Sequence, residues 1–321
     1  MYHNLWRTVF LLWLALGVWL GLAQAWGKTR PVLQLAYQSN RSLDHNLYVL
    51  DVPTGLTFQV THHRAEDTSP SWSPDGSALA FASNRPAHPN YTYLWIWSAH
   101  TTSLRRIALP KRMQLDGLSW SPNGDVIAFV GRGADESTQD LYVLHLETAR
   151  LKRVTRTATV HEAYPTWSAT GDALAYATYD VLNNRMDKIY RVRFDPMGVV
   201  NIREGAYEPV PISDRPEAST PIWLDDGRVV FTYPAERFPL YITETGTTAP
   251  DLTWLYLEGM IEDPALSPDE RWLAYSSAPN LGTTWRSLYL TRVDGTQPTR
   301  RLTFPTSPSQ LFRDASPAWR P

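Results

Sequence analysis

The 321-residue chain contains no cysteine, which excludes disulfide bonds, thiolate catalysis and cysteine metal sites. Charged residues are also scarce at 19%, and 30 basic against 32 acidic residues leave a net charge of -2. No global field therefore favours a nucleic-acid partner. The nucleophile elbow G-x-S-x-G, the zinc motif H-E-x-x-H and a Gly-rich phosphate loop are missing as well. Their absence argues against the common hydrolase and nucleotide-binding classes.

An apolar run stands out near the start of the chain, in "MYHNLWRTVFLLWLALGVWLGLAQAWGKTRP". Thr8 to Leu22 followed by Ala23-Gln24-Ala25 has the layout of a signal peptide with an A-x-A cleavage site. Trp6 and Trp26 are 20 residues apart (26 - 6), roughly 30 Å of helix, which equally fits an uncleaved membrane anchor across residues 8–26. Both alternatives predict a targeting or anchor helix in residues 1–30. Both place residues 31–321 outside the cytoplasm, in the periplasm or at the cell surface.

A sequence pattern recurs through the rest of the chain. "PSWSPDGSALAFAS" at Pro70 is followed by "LSWSPNGDVIAFVG", "PTWSATGDALAYAT", "PIWLDDGRVVFTYP", "PALSPDERWLAYSS" and a final "SPAWRP". The key positions, tryptophan in five copies and leucine in one, are residues 72, 120, 167, 223, 266 and 319, separated by 48, 47, 56, 43 and 53 residues. A period near fifty indicates a propeller or a solenoid. The 25 prolines and 12% aromatics agree with a turn-rich β protein.

Each repeat is predicted to form four strands, which the first copy places at Ser69–Ser73, Ala78–Ser83, Tyr93–Ser98 and Leu104–Ala108. In "SPDG", proline presets the first turn residue and Gly76 supplies the positive φ of a tight hairpin. "SPAWRP" is a first strand without followers, whereas "VLQLAYQS", "NLYVLD" and "LTFQVT" are followers without a first strand. We therefore expect an all-β, six-bladed propeller closed by pairing the C-terminal strand with the N-terminal strands.

The pattern P-x-W-S-P-D-G, the strand "LAFAS", then "LYVLD" and "LT" resembles the WD-like repeat of the TolB β-propeller family. The resemblance covers roughly Pro31 to Pro321 and implies the propeller fold. The small α/β domain that precedes the propeller in TolB has no counterpart in this sequence, where the hydrophobic segment comes first. Related propellers also cap prolyl oligopeptidase-like hydrolases, which carry a separate catalytic domain.

An acidic residue precedes each key position by four to six residues. Because strands alternate in direction, all the links between blades fall on one face, so these carboxylates are expected to surround one mouth of the central channel. Such a ring would bind a cation or a basic side chain, or its members would accept backbone hydrogen bonds in their own turns. The candidate binding residues at the channel mouth are these carboxylates and the histidine next to Glu162: Asp67, Asp116, Glu162, Glu217, Glu262, Asp314 and His161.

The same face carries the longest inserts. Their aromatic residues are predicted partner-binding anchors, or alternatively cover a blade edge: Tyr91, Tyr233, Phe238 and Trp285. Trp95 and Trp97 align with Tyr48 and Leu50 of "LYVLD" and are expected in the core. His62 and His63 point to opposite sides of a strand, which disfavours a shared metal site, and no metal or other cofactor is assigned.

These features favour a non-enzymatic, extracytoplasmic propeller that binds another protein, as an accessory subunit of a membrane complex if the N-terminal helix is retained. The alternative is a metal-dependent hydrolase or lyase whose Asp, Glu and His side chains act at the channel mouth. A propeller that binds sugar or peptidoglycan through exposed aromatics is a third hypothesis, and the sequence does not separate it from the first.

Overall fold

Alternating apolar strands and tight turns produce six four-stranded antiparallel sheets in the computed structural model. The structure describes residues 33–85, 90–194, 209–213, 216–233, 240–243, 250–251, 260–278, 285–304 and 312–321. Every regular element in these ranges is a β-strand, and none of their segments is a helix long and apolar enough to cross a membrane. The predicted N-terminal helix, residues 1–30, lies outside the described residues.

Five of the sheets are formed by four strands consecutive in sequence. The first two comprise β4 Asp67–Trp72, β5 Ala78–Ser83, β6 Tyr93–Ser98 and β7 Leu104–Ile107, then β8 Met113–Trp120, β9 Val126–Gly133, β10 Asp140–His145 and β11 Arg150–Arg153. The other three comprise β12 Val160–Trp167, β13 Ala173–Asp180, β14 Arg185–Arg193 and β15 Val210–Pro211, then β16 Ser219–Trp223, β17 Val229–Thr232, β18 Leu240–Thr243 and β19 Pro250–Asp251, then β20 Met260–Leu266, β21 Trp272–Ala278, β22 Ser287–Arg292 and β23 Arg300–Arg301.

The remaining sheet joins the two ends of the described chain. It consists of β24 Asp314–Trp319, β1 Gln34–Ser39, β2 Asn46–Asp51 and β3 Thr57–Gln59, in that order. β24 pairs with β1, with Leu35 opposite Trp319 and Ser39 opposite Asp314. The pairing of the C-terminal strand with the N-terminal strands is therefore confirmed. The first strands β4, β8, β12, β16, β20 and β24 contact one another in turn, and β24 contacts β4.

Apolar side chains fill the space between neighbouring sheets, because the middle strands are apolar on both faces. β9 and β10 carry Ile127 and Phe129 toward one neighbour and Val126 and Val143 toward the other, all at most 1% exposed. Trp97 is 6% exposed and Trp95 packs against the same core, as expected from their alignment. Each sheet is thus sandwiched between two others, which requires the nearly continuous apolar strands seen in the sequence.

The repeated tryptophans connect the sheets by hydrogen bonds. The indole N–H of Trp167 donates to the carbonyl of Ser119 at 3.1 Å, that of Trp223 to Thr166 at 3.1 Å, and that of Trp319 to Ala265 at 3.0 Å. In each case the acceptor directly precedes the key position of the preceding sheet. Trp120 instead donates to the Gly124 carbonyl of its own turn, and the buried indole nitrogen of Trp72 has no hydrogen-bond partner among the described residues.

The turn between the first and second strand of each repeat has the predicted geometry. In "SPDG", the Ser73 amide donates to Ala78 O at 2.8 Å, and Gly76 has φ +66°. Gly124 and Gly171 occupy the same position with φ of +80° and +71°, and Glu270 takes it with φ +54°. We call the side of the ring with these turns the turn face. The opposite side, with the second-to-third-strand loops and the links between sheets, is the loop face.

Candidate functional site

The six first strands line a central channel that encloses about 830 Å³. Each of these strands contains a β-bulge three residues before its key position, and the residue there has positive φ. These residues are Ser69 (53°), Gly117 (56°), Tyr164 (52°), Thr220 (46°), Asp263 (48°) and Ser316 (51°). Five of the six carry side chains, which rarely adopt this conformation, so the recurrence marks it as part of the fold. At these bulges, Tyr164 adds a phenol and Asp263 a carboxyl group to the channel wall.

Hydrogen bonds along the channel wall join one first strand to the next. The Ser69 hydroxyl donates to an Asp116 carboxylate oxygen, and the Gly117 amide donates to Ser69 Oγ at 3.2 Å. On the far side, the Ser316 amide and hydroxyl donate to Asp263 Oδ2 at 3.0 and 3.4 Å. Polar side chains at the bulges therefore fasten neighbouring sheets together as well as lining the channel.

Tyr164 is 42% exposed and faces the channel. The protein atoms that enclose the phenol inside the channel raise its pKa by desolvation, and the negative charges of Asp263 and Asp116 raise it further. The phenol therefore stays neutral and can donate a hydrogen bond to a ligand in the channel. Burial also raises the pKa of Asp263, and Arg313 lines the same cavity. Among the described residues, the channel thus combines carboxyl groups, the phenols of Tyr164 and Tyr179 and the guanidinium of Arg313.

Glu162 and His161 lie on the channel wall as well. Glu162 is only 1% exposed and accepts a hydrogen bond from Thr157 Oγ1 at 3.2 Å. Burial, together with the nearby charge of Asp140, raises the pKa of Glu162 to about 8. His161 Nδ1 accepts the amide hydrogen of Gln139 at 2.9 Å, so the neutral ring carries its proton on Nε2. Burial lowers the pKa of His161, so the ring is neutral at pH 7.

Two of the predicted ring carboxylates are engaged elsewhere. Asp67 and Asp314 are fully buried and form ion pairs with Arg85 and Arg41. Arg41 contacts Asp314 at 2.9 and 3.0 Å, and its guanidinium lies 5.0 Å from the ring centre of Tyr48. Neither carboxylate lines the channel. Both arginines end the tripeptide Ser-Asn-Arg, residues 39–41 and 83–85, a repeated signal that the sequence interpretation did not use.

The predicted acidic ring is therefore incomplete. Of its members, Asp116, Glu162 and His161 line the channel. Glu262 instead pairs with Arg286 at 2.6 Å and lies 3.6 Å from Arg313. Glu217 is half-buried away from the channel wall, in the link before β16. Asp116 and Glu262 both directly precede a bulge residue, so the bulge does not decide which carboxylate faces the channel. Three carboxylates that are off the channel wall, Asp67, Asp314 and Glu262, each pair with an arginine.

The predicted aromatic anchors differ in their surroundings. Tyr233 is 2% exposed and packs edge-on against Phe231 in the core, which is the arrangement expected if it covers a blade edge. Tyr91 and Trp285 are half-buried, with the Arg301 guanidinium 5.2 Å from a ring centre of Trp285. Phe238 lies outside the described residues.

Aliphatic and aromatic side chains that sequence reasoning did not select are exposed on the loop face. Leu43 is 96% exposed in the β1–β2 loop, Leu182 is 78% exposed in the β13–β14 loop, and Phe304 is 62% exposed after β23. Exposed apolar side chains at loop tips are typical of binding surfaces. The described residues contain no group of three or more His, Asp or Glu side chains arranged to hold a metal ion.

Comparisons with known proteins agree with this architecture. The family model described as the TolB beta propeller domain matches residues 30–195, just over half of the chain. The solved structure of TolB from Acinetobacter baumannii has a TM-score of 0.68 at 19% identity, covering 90% of this chain and 67% of that one. At this level of identity the likeness concerns the fold alone.

Two curated relatives match shorter stretches. The chain is 32% identical over 108 residues to "Uncharacterized peptidase YuxL" of Bacillus subtilis (strain 168), which is 32% of this chain and 15% of that protein. It is 29% identical over 75 residues to "Tol-Pal system protein TolB" of Francisella tularensis subsp. mediasiatica (strain FSC147), 23% of this chain and 17% of that protein. The chain thus matches less than a fifth of the length of either relative.

Proposed function

Because the chain belongs to the TolB β-propeller domain family, we propose that it is a non-enzymatic, extracytoplasmic protein that binds another protein on the loop face of a six-bladed ring. The curated relative named as a Tol-Pal system protein supports a role in an assembly of proteins. The signal-like apolar run of residues 8–22 supports export. With that segment retained, the propeller would be an accessory subunit of a membrane complex.

The observation that carries this proposal is the set of apolar side chains exposed on one face. Leu43 belongs to the sheet of β1 and Leu182 to the sheet of β13, three sheets away around the ring. They therefore stand on opposite sides of the channel mouth. A partner that buries both must span the mouth, which is a large enough footprint for a specific protein interface.

The channel provides polar recognition at the centre of that footprint. Asp116 and Asp263 lie on its wall with the neutral phenol of Tyr164. A partner segment with a basic or amide side chain would find both hydrogen-bond acceptors and a donor there. Apolar contacts around the mouth would supply most of the binding affinity. Hydrogen bonds to the polar groups inside the channel would supply the specificity.

The experiment is a mild-detergent capture from native membranes with C-terminally tagged protein, followed by mass spectrometry of the retained proteins. Leu43→Asp and Leu182→Asp should each reduce partner recovery at least tenfold. Val293→Asp is the matched control, since Val293 is 41% exposed on the turn face. Equal recovery with all three variants would refute the loop-face site. The same spectra show whether Met1–Ala25 is retained, which decides between an anchored and a secreted protein.

A further inference from the structure

A second exposed surface lies on the outer rim of the ring, at its turn-face end. Leu56 is 70% exposed, Phe58 46% and Leu104 38%. Arg105 and Arg106 follow directly on β7 and are also exposed. We call these five residues the rim patch. They belong to the outermost strands, or the turn before them, of two neighbouring sheets, so the patch lies outside the channel and on the face opposite the loop face.

The apolar part of the rim patch is continuous across the seam between the two sheets. The Phe58 ring on β3 lies 6.5 Å from the ring of Trp97 on β6. Leu104 pairs with Trp97 in the β6–β7 register, so it stands on the same side of its sheet. Leu56 is two residues from Phe58. The buried Trp97 ring thus lies beneath Phe58 and Leu104 and connects the apolar parts of the two sheets.

The rim patch has two exposed cations, Arg105 and Arg106. Arg106 pairs with Trp95 and stands on the same side of β7 as Leu104, and Arg105 stands on the other side. The nearby carboxylate on the first sheet, Asp51, is held in its own turn, where Oδ1 accepts the amide and hydroxyl hydrogens of Thr54 at 3.0 and 2.5 Å. The patch therefore suits an anionic partner with an apolar layer.

The position of the rim patch indicates which partner that is. Gln34, where β1 begins, pairs with Asp51 of β2, and the Asp51 amide donates to Leu56 O at 2.8 Å. Leu56 is therefore two strand spacings, about 10 Å, from the residue at which β1 starts. In sequence, the apolar run ending at Leu22 is only 12 residues before Gln34 (34 - 22). A membrane that held residues 8–22 would lie within reach of the patch.

We propose that the rim patch docks on an anionic lipid bilayer. Leu56, Phe58 and Leu104 enter the interfacial layer, and the guanidinium groups of Arg105 and Arg106 contact lipid phosphates. The inference rests on the proposed retention of the N-terminal segment as a membrane anchor. Docking on this rim would keep the loop face clear of the lipid surface and available to a partner.

The chain has no cysteine, so single-cysteine labelling is straightforward. Leu56→Cys and the loop-face control Leu182→Cys are labelled with an environment-sensitive fluorophore in the full-length protein. Both are reconstituted into nanodiscs of phosphatidylcholine with or without 30% phosphatidylglycerol, with doxyl-labelled lipid as quencher. The label at position 56 should shift to shorter wavelength and be quenched in anionic nanodiscs, and the label at position 182 should do neither.

Arg106→Glu tests the charge, because Arg106 stands on the same side of β7 as Leu104, and Arg300→Glu is its match, since both arginines are exposed on outermost strands. Loss of one cation should reduce the ratio of docked to undocked protein about fivefold, and reversal of the charge by glutamate should reduce this ratio further. No quenching at position 56, equal quenching at position 182, or equal effects of the two arginine variants would each overturn the proposal. If the protein stays with the nanodisc but the label at position 56 is not quenched, docking is refuted and the membrane anchor is supported. If nanodiscs do not retain the protein but it still captures its partner, both docking and the anchor are refuted, and the loop-face site is supported.

Discussion

Glu162→Gln should stabilise the protein increasingly as the pH rises from 5 to 9. The Glu162 carboxyl is 1% exposed, and burial together with Asp140 raises its pKa from 4.5 to about 8. A carboxyl with a higher pKa in the folded state takes up a proton on folding. Its contribution to stability is therefore fully present below pH 4.5 and is lost as the pH rises toward 8. Each pH unit in this window costs about 1.4 kcal/mol, so the loss between pH 5 and pH 9 is about 4 kcal/mol.

Glutamine retains an acceptor for the Thr157 hydroxyl and does not ionise, so the variant escapes this loss. Thermal unfolding of the variant and the native chain across this pH range should diverge by on the order of 8 °C. Other buried carboxyls titrate in both proteins and cancel in the difference. Glu147→Gln, at an exposed turn residue, is the control and should show no trend. A stability difference for Glu162→Gln that is constant from pH 5 to 9 would refute the raised pKa.

Three further predictions concern the closure and the contacts between sheets. Arg41→Ala leaves the buried Asp314 carboxylate without its cation and should cost about 3–5 kcal/mol in urea unfolding. Arg292→Ala at the exposed pair with Asp294 should cost much less, and equal costs would contradict the assignment. Trp167→Phe should lower the free energy of unfolding in urea by about 1 kcal/mol more than Trp72→Phe, because Trp167 loses an indole hydrogen bond and the Trp72 indole nitrogen has no partner among the described residues. The reverse order would be inconsistent with the indole hydrogen bonds. Arg320→Ala removes hydrogen bonds to Gly76 O at 2.8 Å and Gln34 Oε1 at 2.7 Å. Amide hydrogen exchange should therefore accelerate in β1 and stay unchanged in β13, and equal acceleration in both strands would contradict a local effect on the β1–β24 closure.

Local signals in the sequence were sufficient for most of the architecture. The spacing of residues such as Trp72 and Trp167, the turn at Gly76 and the orphan strand "SPAWRP" each depend on neighbours close in sequence. Strands β5 and β6 match the predicted limits residue for residue. The closure of β24 on β1 followed from counting unpaired strands, which needs no knowledge of side-chain packing.

The site was harder to predict because the position of a carboxylate in its repeat does not decide where the side chain points. Asp116 and Glu262 both directly precede a bulge residue, yet Asp116 lines the channel and Glu262 pairs with Arg286. Long-range pairing was equally invisible: Asp314 is neutralised by Arg41, 273 residues away in the chain. Only the repeated Ser-Asn-Arg tripeptide could have indicated that Asp67 and Asp314 share such a partner.

The pairing of β1 and β24 has a mechanical consequence. The Arg320 amide donates to Gln34 O at 2.9 Å, so both ends of the closing pair lie together on the turn face. Tension between those ends would separate β24 from β1 one hydrogen bond at a time. Tension between Gln34 and a loop-face residue such as Leu43 would instead run along β1, where the ladders to β2 and β24 resist together. A ring tethered before Gln34 and pulled from its loop face is thus loaded along its stronger direction.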